Sequence, residues 1–194
     1  MVCEHGSPTE FHILDKRDGK HIATYQVNNF CFFHIGNAYD YIDPKTGDVN
    51  VHVDIVSYRD EHYPYMDHSL LSPLDPKKPL QNGTPVRYQM DSMNKANPTK
   101  LYRGSVAPAI LGLPCELPRV SKPASMDPDY RYTYAMSGIG ASSSGMEAFS
   151  IGRFGNGWVT VHPTIYGSLI KSDWNTGLFK LWTPSNGESC PVGA

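Results

Sequence analysis

The sequence predicts an all-β chain built from short antiparallel strands. Aromatic residues make up 11% of the 194 residues, and the chain contains 17 Gly and 16 Pro. Aromatic and β-branched residues favour strands, whereas Gly and Pro favour the turns that join them. A five-residue pattern, D-x-x-x-G, also recurs between strand-like runs. Together these observations predict a succession of hairpins.

The recurring pattern has the chemistry of a tight hairpin loop. Its Asp can bond the backbone ahead of it, and its Gly tolerates the positive φ that such a loop requires. The runs beside the first and third copies are rich in β-branched and aromatic residues, as strands are. Three hairpin loops are therefore predicted, at residues 15–19, 43–47 and 173–177.

The run after the second loop alternates with period two. One face would carry Val49, Val51, Val53 and Ile55, and the other would carry Asn50, His52 and Asp54. This is the pattern of a half-buried strand. Repeated hairpins of this kind favour propeller blades, although uneven spacing leaves a sandwich or a barrel open. Residues 72–100 are predicted to form a long surface connection, with a short helix around Val86 to Asn94.

Composition and charge exclude several classes of protein. The formal net charge is −2 and the basic residues are scattered, so no nucleic-acid partner is expected. No run reaches the roughly 18 to 20 apolar residues of a membrane span, and the first residues lack signal-peptide features. A cytoplasmic location is expected. The four cysteines are far apart and are predicted to be reduced thiols: Cys3, Cys31, Cys115 and Cys190.

Several other candidate sites are weak. The polar group at residues 60–68 includes His62 and His68, but Pro64 and the lack of a helical ligand pair favour a solvated loop. Residues 141–145 lack the first Gly of a nucleophile elbow, and residues 138–140 are too short for a dinucleotide fingerprint. Four further histidines are interpreted as solvated or hydrogen-bonded side chains: His5, His12, His21 and His52.

His34 differs because it ends an apolar run and would share a face with Phe30 and Phe32. An imidazole on such a face needs a partner for each ring nitrogen. It is either a hydrogen-bonded core histidine or a metal ligand whose other nitrogen is held by an acceptor. Glu116 also lies in an apolar, proline-flanked stretch, where a charge is costly without a dedicated partner.

Five stretches of the chain resemble motifs of the carotenoid cleavage oxygenases, in the order of that family. Residues 33–40, FHIGNAYD, resemble its F-H-x-x-N-A-[YW]-[DE] segment, and residues 53–60, VDIVSYRD, resemble its V-D-x-x-x-Y-x-D strand. The stretches CELPRV, YRYTY and LIKSD follow, at residues 115–120, 130–134 and 169–173. Collinear order over nearly the whole chain makes the resemblance specific.

The resemblance implies a partial seven-bladed β-propeller and an Fe(2+) site held by four histidines. His34 matches the third iron ligand, and Glu116 matches a glutamate that supports a ligand, so we expect the two side chains to meet. The other ligands would lie outside this chain. Residues 1–194 are accordingly expected to be an internal portion of the propeller domain that lacks both terminal segments and is inactive alone.

The function implied by the resemblance is that of a non-haem iron dioxygenase. Such an enzyme cleaves a carbon–carbon double bond with O2 to give two carbonyl products, and its substrate is a lipophilic or aromatic polyene: a carotenoid, an apocarotenoid or a stilbene-like compound. The alternatives are a catalytically inactive truncated relative and a propeller-type interaction scaffold. The apolar run at residues 106–114 is interpreted as a buried approach to Glu116, with peripheral membrane contact as the alternative.

Overall fold

The computed structural model describes residues 7–58, 83–107, 115–137, 149–154, 157–161 and 168–182. These residues form strands and two short 3-10 turns, with no α-helix among them. The prediction of an all-β chain is confirmed. The strands are β1 (Thr9–Leu14), β2 (His21–Val27), β3 (Cys31–Ile42), β4 (Val49–Tyr58), β5 (Thr84–Met90), β6 (Leu101–Arg103), β7 (Ser105–Val106), β8 (Glu116–Arg119), β9 (Tyr132–Ser137), β10 (Phe149–Phe154), β11 (Gly157–Val161), β12 (Ser168–Asp173) and β13 (Phe179–Trp182).

The strands group into sheets that follow one another along the chain, except that β6 returns to the first sheet. The first sheet has the order β1-β2-β6, the second has the order β3-β4-β5-β7, and the third has the order β13-β12-β9-β8. Strands β10 and β11 form a separate pair. Pairing is antiparallel except between β2 and β6. Two successive four-stranded antiparallel sheets are what propeller blades require.

The three D-x-x-x-G segments are hairpin loops between adjacent antiparallel strands, as predicted. Gly19, Gly47 and Gly177 have φ of 73°, 71° and 68°. In each loop the Gly amide donates to the Asp carbonyl, over 2.7–2.9 Å. The Asp carboxylate also accepts a bond from the amide two residues ahead. A carboxylate at the start and a left-handed Gly at the end therefore close each loop.

Two apolar clusters lie between the three sheets, and β4 contributes to both. Val53 and Ile55 pack with residues of the first and second sheets. Val56 and Tyr58 pack with residues of the second and third sheets. The prediction that β4 is half-buried is therefore wrong. Its polar face is also covered, and Asp54 keeps 3% of its surface exposed, because a neighbouring sheet packs on each side.

The predicted helix around Val86 to Asn94 is also wrong. Residues Thr84–Met90 form strand β5, and a 3-10 turn follows at Met93–Lys95. Val86, Tyr88 and Met90 alternate into the first apolar cluster, so burial against the first sheet selects the extended form. The described part of the predicted surface connection, residues 83–100, thus contains one strand of the second sheet, followed by a 3-10 turn and loop.

A buried ion pair within the second sheet packs against aromatic rings of the third sheet's loops. Arg87 on β5 donates from Nε to Oδ1 of Asp54 over 2.7 Å and from a terminal nitrogen to Oδ2 over 2.9 Å. The guanidinium carbon lies 4.4 Å from the ring centroid of Trp174 and 5.3 Å from that of Tyr130, which belong to the third sheet and its loops. Burial raises the pKa of Asp54, and the bonds from Arg87 oppose that rise.

Asn37 makes a second link between these sheets. Its amide nitrogen donates to the carbonyl of Ala124 over 3.3 Å, and its amide oxygen accepts from the backbone N–H of Met126 over 3.0 Å. Met126 has a φ of 61°, in the left-handed region. The Asn of the FHIGNAYD stretch therefore holds the connection between β8 and β9 against β3.

The prediction that all cysteines are reduced is wrong for Cys31, which is disulfide-bonded. Whether two cysteines can form a disulfide depends on their distance in the folded chain, and their spacing in the sequence does not give that distance. Cys115 is a free, buried thiol. Burial raises its pKa, and the charge of neighbouring Glu116 adds to the rise. Cys3 and Cys190 lie outside the described residues.

Candidate metal centre

The structure brings His34 and Glu116 together although 82 positions separate them. Nδ1 of His34 and Oε2 of Glu116 are 2.8 Å apart. The His34 side chain is 41% exposed, whereas that of Glu116 is 5% exposed. A carboxylate only accepts hydrogen bonds, so this contact places a ring proton on Nδ1, and in the neutral imidazole the lone pair is then on Nε2.

Strand β3 presents His34 through an irregular stretch. The pairing of β3 with β4 shifts register between Phe32 and Ile35, and again between Ile35 and Asn37. The prediction that His34 shares a buried apolar face with Phe30 and Phe32 is therefore wrong. Phe30 is buried, but Phe32 is 38% exposed. The register shifts interrupt the period-two alternation on which that prediction rested.

Glu116 begins β8 inside the second apolar cluster, next to buried Cys115. Its Oε2 also accepts the backbone N–H of Leu117 over 2.9 Å. Leu117 has a φ of 53°, in the left-handed region that a non-glycine residue rarely adopts. The apolar setting predicted for Glu116 is confirmed, and its charge has dedicated donors.

Tyr58, at the end of β4, is a member of this cluster that the sequence analysis missed. Its hydroxyl donates to Oε1 of Glu116, and its ring meets Phe33 edge-on at a centroid distance of 5.8 Å. The chain at Gly83 can pass close to the Tyr58 ring because glycine has no side chain, and a Cβ at this position would lie 2.7 Å from the ring. The V-D-x-x-x-Y-x-D stretch could have pointed to Tyr58, because alternation places Tyr58 on the same face of β4 as Asp54.

The cluster has the arrangement of an imidazole that binds iron through one ring nitrogen while a carboxylate bonds the other. Within the described part of the chain, no hydrogen bond is made to Nε2 of His34. A metal-binding imidazole has a bare nitrogen toward the metal and an acceptor on the other nitrogen, and a carboxylate is one such acceptor. Among the same residues, no group of three or more His, Cys, Asp or Glu side chains could hold a metal. The described residues therefore bring together no complete metal site, and His34 is their one candidate ligand with a held ring nitrogen.

The other described histidines make side-chain hydrogen bonds, in line with their interpretation. His12 and His21 bond the hydroxyl of Thr24 at 3.0 Å and 2.9 Å. His52 contacts the hydroxyl of Tyr39 at 3.1 Å, and burial lowers its pKa to about 4. His52 is therefore a neutral buried side chain at physiological pH.

The remaining sequence-level candidates lie outside the described residues. They are His5, the polar group at 60–68 with His62 and His68, the short stretches at 138–140 and 141–145, and positions 108–114 of the apolar run. Val106, at the start of that run, is exposed. No helix in the described part of the chain has the length and hydropathy needed to cross a membrane.

The antiparallel sheets and the contact between His34 and Glu116 are the combination predicted by the resemblance to the carotenoid cleavage oxygenases. A profile of the family described as RPE65, retinal pigment epithelial membrane protein, matches residues 1–191. The chain belongs to this family, and the resemblance found in the sequence is confirmed.

The chain is also similar to individual proteins. A carotenoid isomerooxygenase of Galleria mellonella is 27% identical over 185 residues, which are 92% of this chain and 29% of the relative. The crystal structure of an ACO/RPE65 chimera matches with a TM-score of 0.58 at 17% identity, over 91% of this chain and 29% of the chimera. A Pseudomonas brassicacearum lignostilbene dioxygenase matches with a TM-score of 0.56 at 18% identity, over 91% and 32%.

The structural matches show that the successive sheets are blades of a partial β-propeller. The chain spans about a third or less of the length of each relative.

Proposed function

We propose that this chain contributes part of the active site of a non-haem iron dioxygenase that cleaves a carbon–carbon double bond with O2 to give two carbonyl products. The contact between His34 and Glu116 carries the proposal, because it leaves Nε2 of an imidazole bare beside a buried, fully bonded carboxylate. Family membership supports the reaction class. The likeness to a carotenoid isomerooxygenase and to a lignostilbene dioxygenase supports a carotenoid, an apocarotenoid or a stilbene-like substrate.

In this proposal His34 is an iron ligand and Glu116 orients it. Glu116 accepts the proton on Nδ1, which fixes the ring direction and keeps Nε2 unprotonated. Fe(2+) supplies the chemistry that activates O2 when it is bound. The other three histidines come from segments that flank this chain in the full-length protein. The substrate is a lipophilic or aromatic polyene, in keeping with those relatives.

The 194-residue chain alone is expected to bind Fe(2+) weakly or not at all. One imidazole cannot replace a four-histidine site, and metal binding energy depends on assembling the complete site. Anaerobic titration with Fe(2+), followed by desalting and metal analysis, measures the retained iron. Stoichiometric iron after desalting would contradict this expectation.

A cleavage assay on the full-length protein tests the reaction. The protein, loaded with Fe(2+), is incubated with a carotenoid, an apocarotenoid and a stilbene under O2, and products are identified by mass spectrometry. We expect two carbonyl products from at least one substrate, and none after iron is removed. A folded, iron-loaded protein that cleaves none of them would favour an inactive relative, and one that holds no iron would favour an interaction scaffold.

A further inference from the structure

The hydroxyl of Tyr58 is the third side-chain element at the candidate metal centre. Tyr58 and Glu116 are 2% and 4% exposed, so their hydrogen bond is shielded from water. The Glu116 carboxylate receives the Tyr58 hydroxyl on Oε1. It receives the Leu117 amide and the His34 ring on Oε2. Both carboxylate oxygens are therefore bonded, and their three donors lie on the three strands β3, β4 and β8.

The two carboxylate oxygens of Glu116 contact different partners. Oε2 faces the histidine, whereas Oε1 is tied to the end of β4, a strand with an apolar cluster on each side. A glutamate side chain has several rotatable bonds, and one held at a single oxygen can turn about its last bond. The bond from Tyr58 removes this freedom. It also satisfies an oxygen that would otherwise be buried without a donor.

We propose that Tyr58 is a positioning residue for His34 and acts through Glu116. By anchoring Oε1, it keeps Oε2 at the Nδ1–H of His34 and so maintains the tautomer in which Nε2 is bare. The role in metal binding rests on the proposed function, whereas the effect on the tautomer exists without metal.

The substitution Tyr58→Phe separates this role from packing. It keeps the ring that meets Phe33 and fills the apolar cluster, and it removes only the hydroxyl. Tyr88→Phe is a matched control, because Tyr88 is also buried, lies on the neighbouring strand β5, and its hydroxyl is 2.9 Å from that of Ser57. A general effect of removing a buried hydroxyl would appear in both variants.

Nitrogen-15 NMR of the histidine rings in the 194-residue chain measures the tautomer, at about pH 8, where an ordinary imidazole is neutral. We expect the Nδ1–H form of His34 to dominate in the wild type and in Tyr88→Phe. In Tyr58→Phe we expect the ratio of the Nδ1–H form to the Nε2–H form to fall on the order of tenfold, as the loss of a bond to a charged group allows. An unchanged ratio in Tyr58→Phe overturns the proposal.

A second measurement applies if Tyr58→Phe does not fold. The Tyr58 hydroxyl proton of the wild type should then be observable as a slowly exchanging signal close to the Glu116 side chain, and failure to detect it overturns the proposal. Iron analysis of the full-length protein tests the proposed iron site separately from the role of Tyr58. Normal iron in His34→Ala would contradict the iron site while leaving the tautomer result standing. An unchanged tautomer with iron lost in His34→Ala would contradict only the role of Tyr58.

Discussion

Replacing His34 with Ala in the full-length protein is expected to abolish iron-dependent cleavage. The substitution removes the nitrogen that Glu116 orients, and the remaining ligands leave the site open. Glu116→Gln is expected to give a folded protein whose iron affinity or activity is reduced on the order of 10- to 100-fold. The amide can still bond the ring but carries no charge and can present a donor instead. Metal analysis and product formation measure both effects.

His12→Ala is the matched control for these substitutions. His12 lies on strand β1, where its exposed ring contacts the hydroxyl of Thr24 and the carboxylate of Glu10, so its loss should leave iron content and turnover unchanged. If His34→Ala and Glu116→Gln both match this control in iron content and turnover, the assignment of the metal centre is wrong.

Arg87→Ala is expected to destabilise the 194-residue chain by about 3–5 kcal/mol, because it leaves the carboxylate of Asp54 buried without its partner. The side chains of Asp54 and Arg87 are 4% and 16% exposed, so water cannot readily replace the lost bonds. The contact of the guanidinium with Trp174 is also lost. Urea unfolding followed by circular dichroism measures the change in the free energy of unfolding.

The pH dependence of the same variant identifies the cause. Burial raises the pKa of Asp54 while Arg87 opposes the rise, so removal of Arg87 raises this pKa further in the folded chain. Asp54 of the folded variant then binds a proton more tightly than it does in the unfolded chain. The free energy of unfolding of the variant therefore falls as the pH rises from the unfolded pKa of Asp54 to its raised folded pKa. The deficit should therefore shrink as the pH is lowered through the raised pKa of Asp54. Arg17→Ala removes an exposed Arg–Asp pair and should change little; an equal loss in both variants would contradict the argument.

The hairpins could be predicted because their determinants are local. An Asp and a Gly four positions apart act on the loop that contains them, so Gly19, Gly47 and Gly177 were identified without tertiary information. The pairing of His34 with Glu116 could not be derived in this way. Only the resemblance to a family joined two residues that lie 82 positions apart and occupy different sheets.

The incorrect predictions share a physical cause, which is packing between sheets. The alternation on β4 indicated one buried face, but the sequence does not show that a third sheet covers Asp54 and Tyr58 from the other side. The helix expected around Val86 was overridden in the same way by burial in the first cluster. The register shifts beside His34 depend on the partner strand, and a single strand carries no sign of them.

Because both faces of β4 are packed, backbone amides of the central sheet should exchange with solvent only through large openings of the fold, whereas strands at its margins can fray locally. His34 lies on the strand paired with β4, and Tyr58 ends β4 itself. The candidate metal centre therefore combines Tyr58 on this protected strand with His34 and Glu116 on β3 and β8, which are edge strands of their sheets.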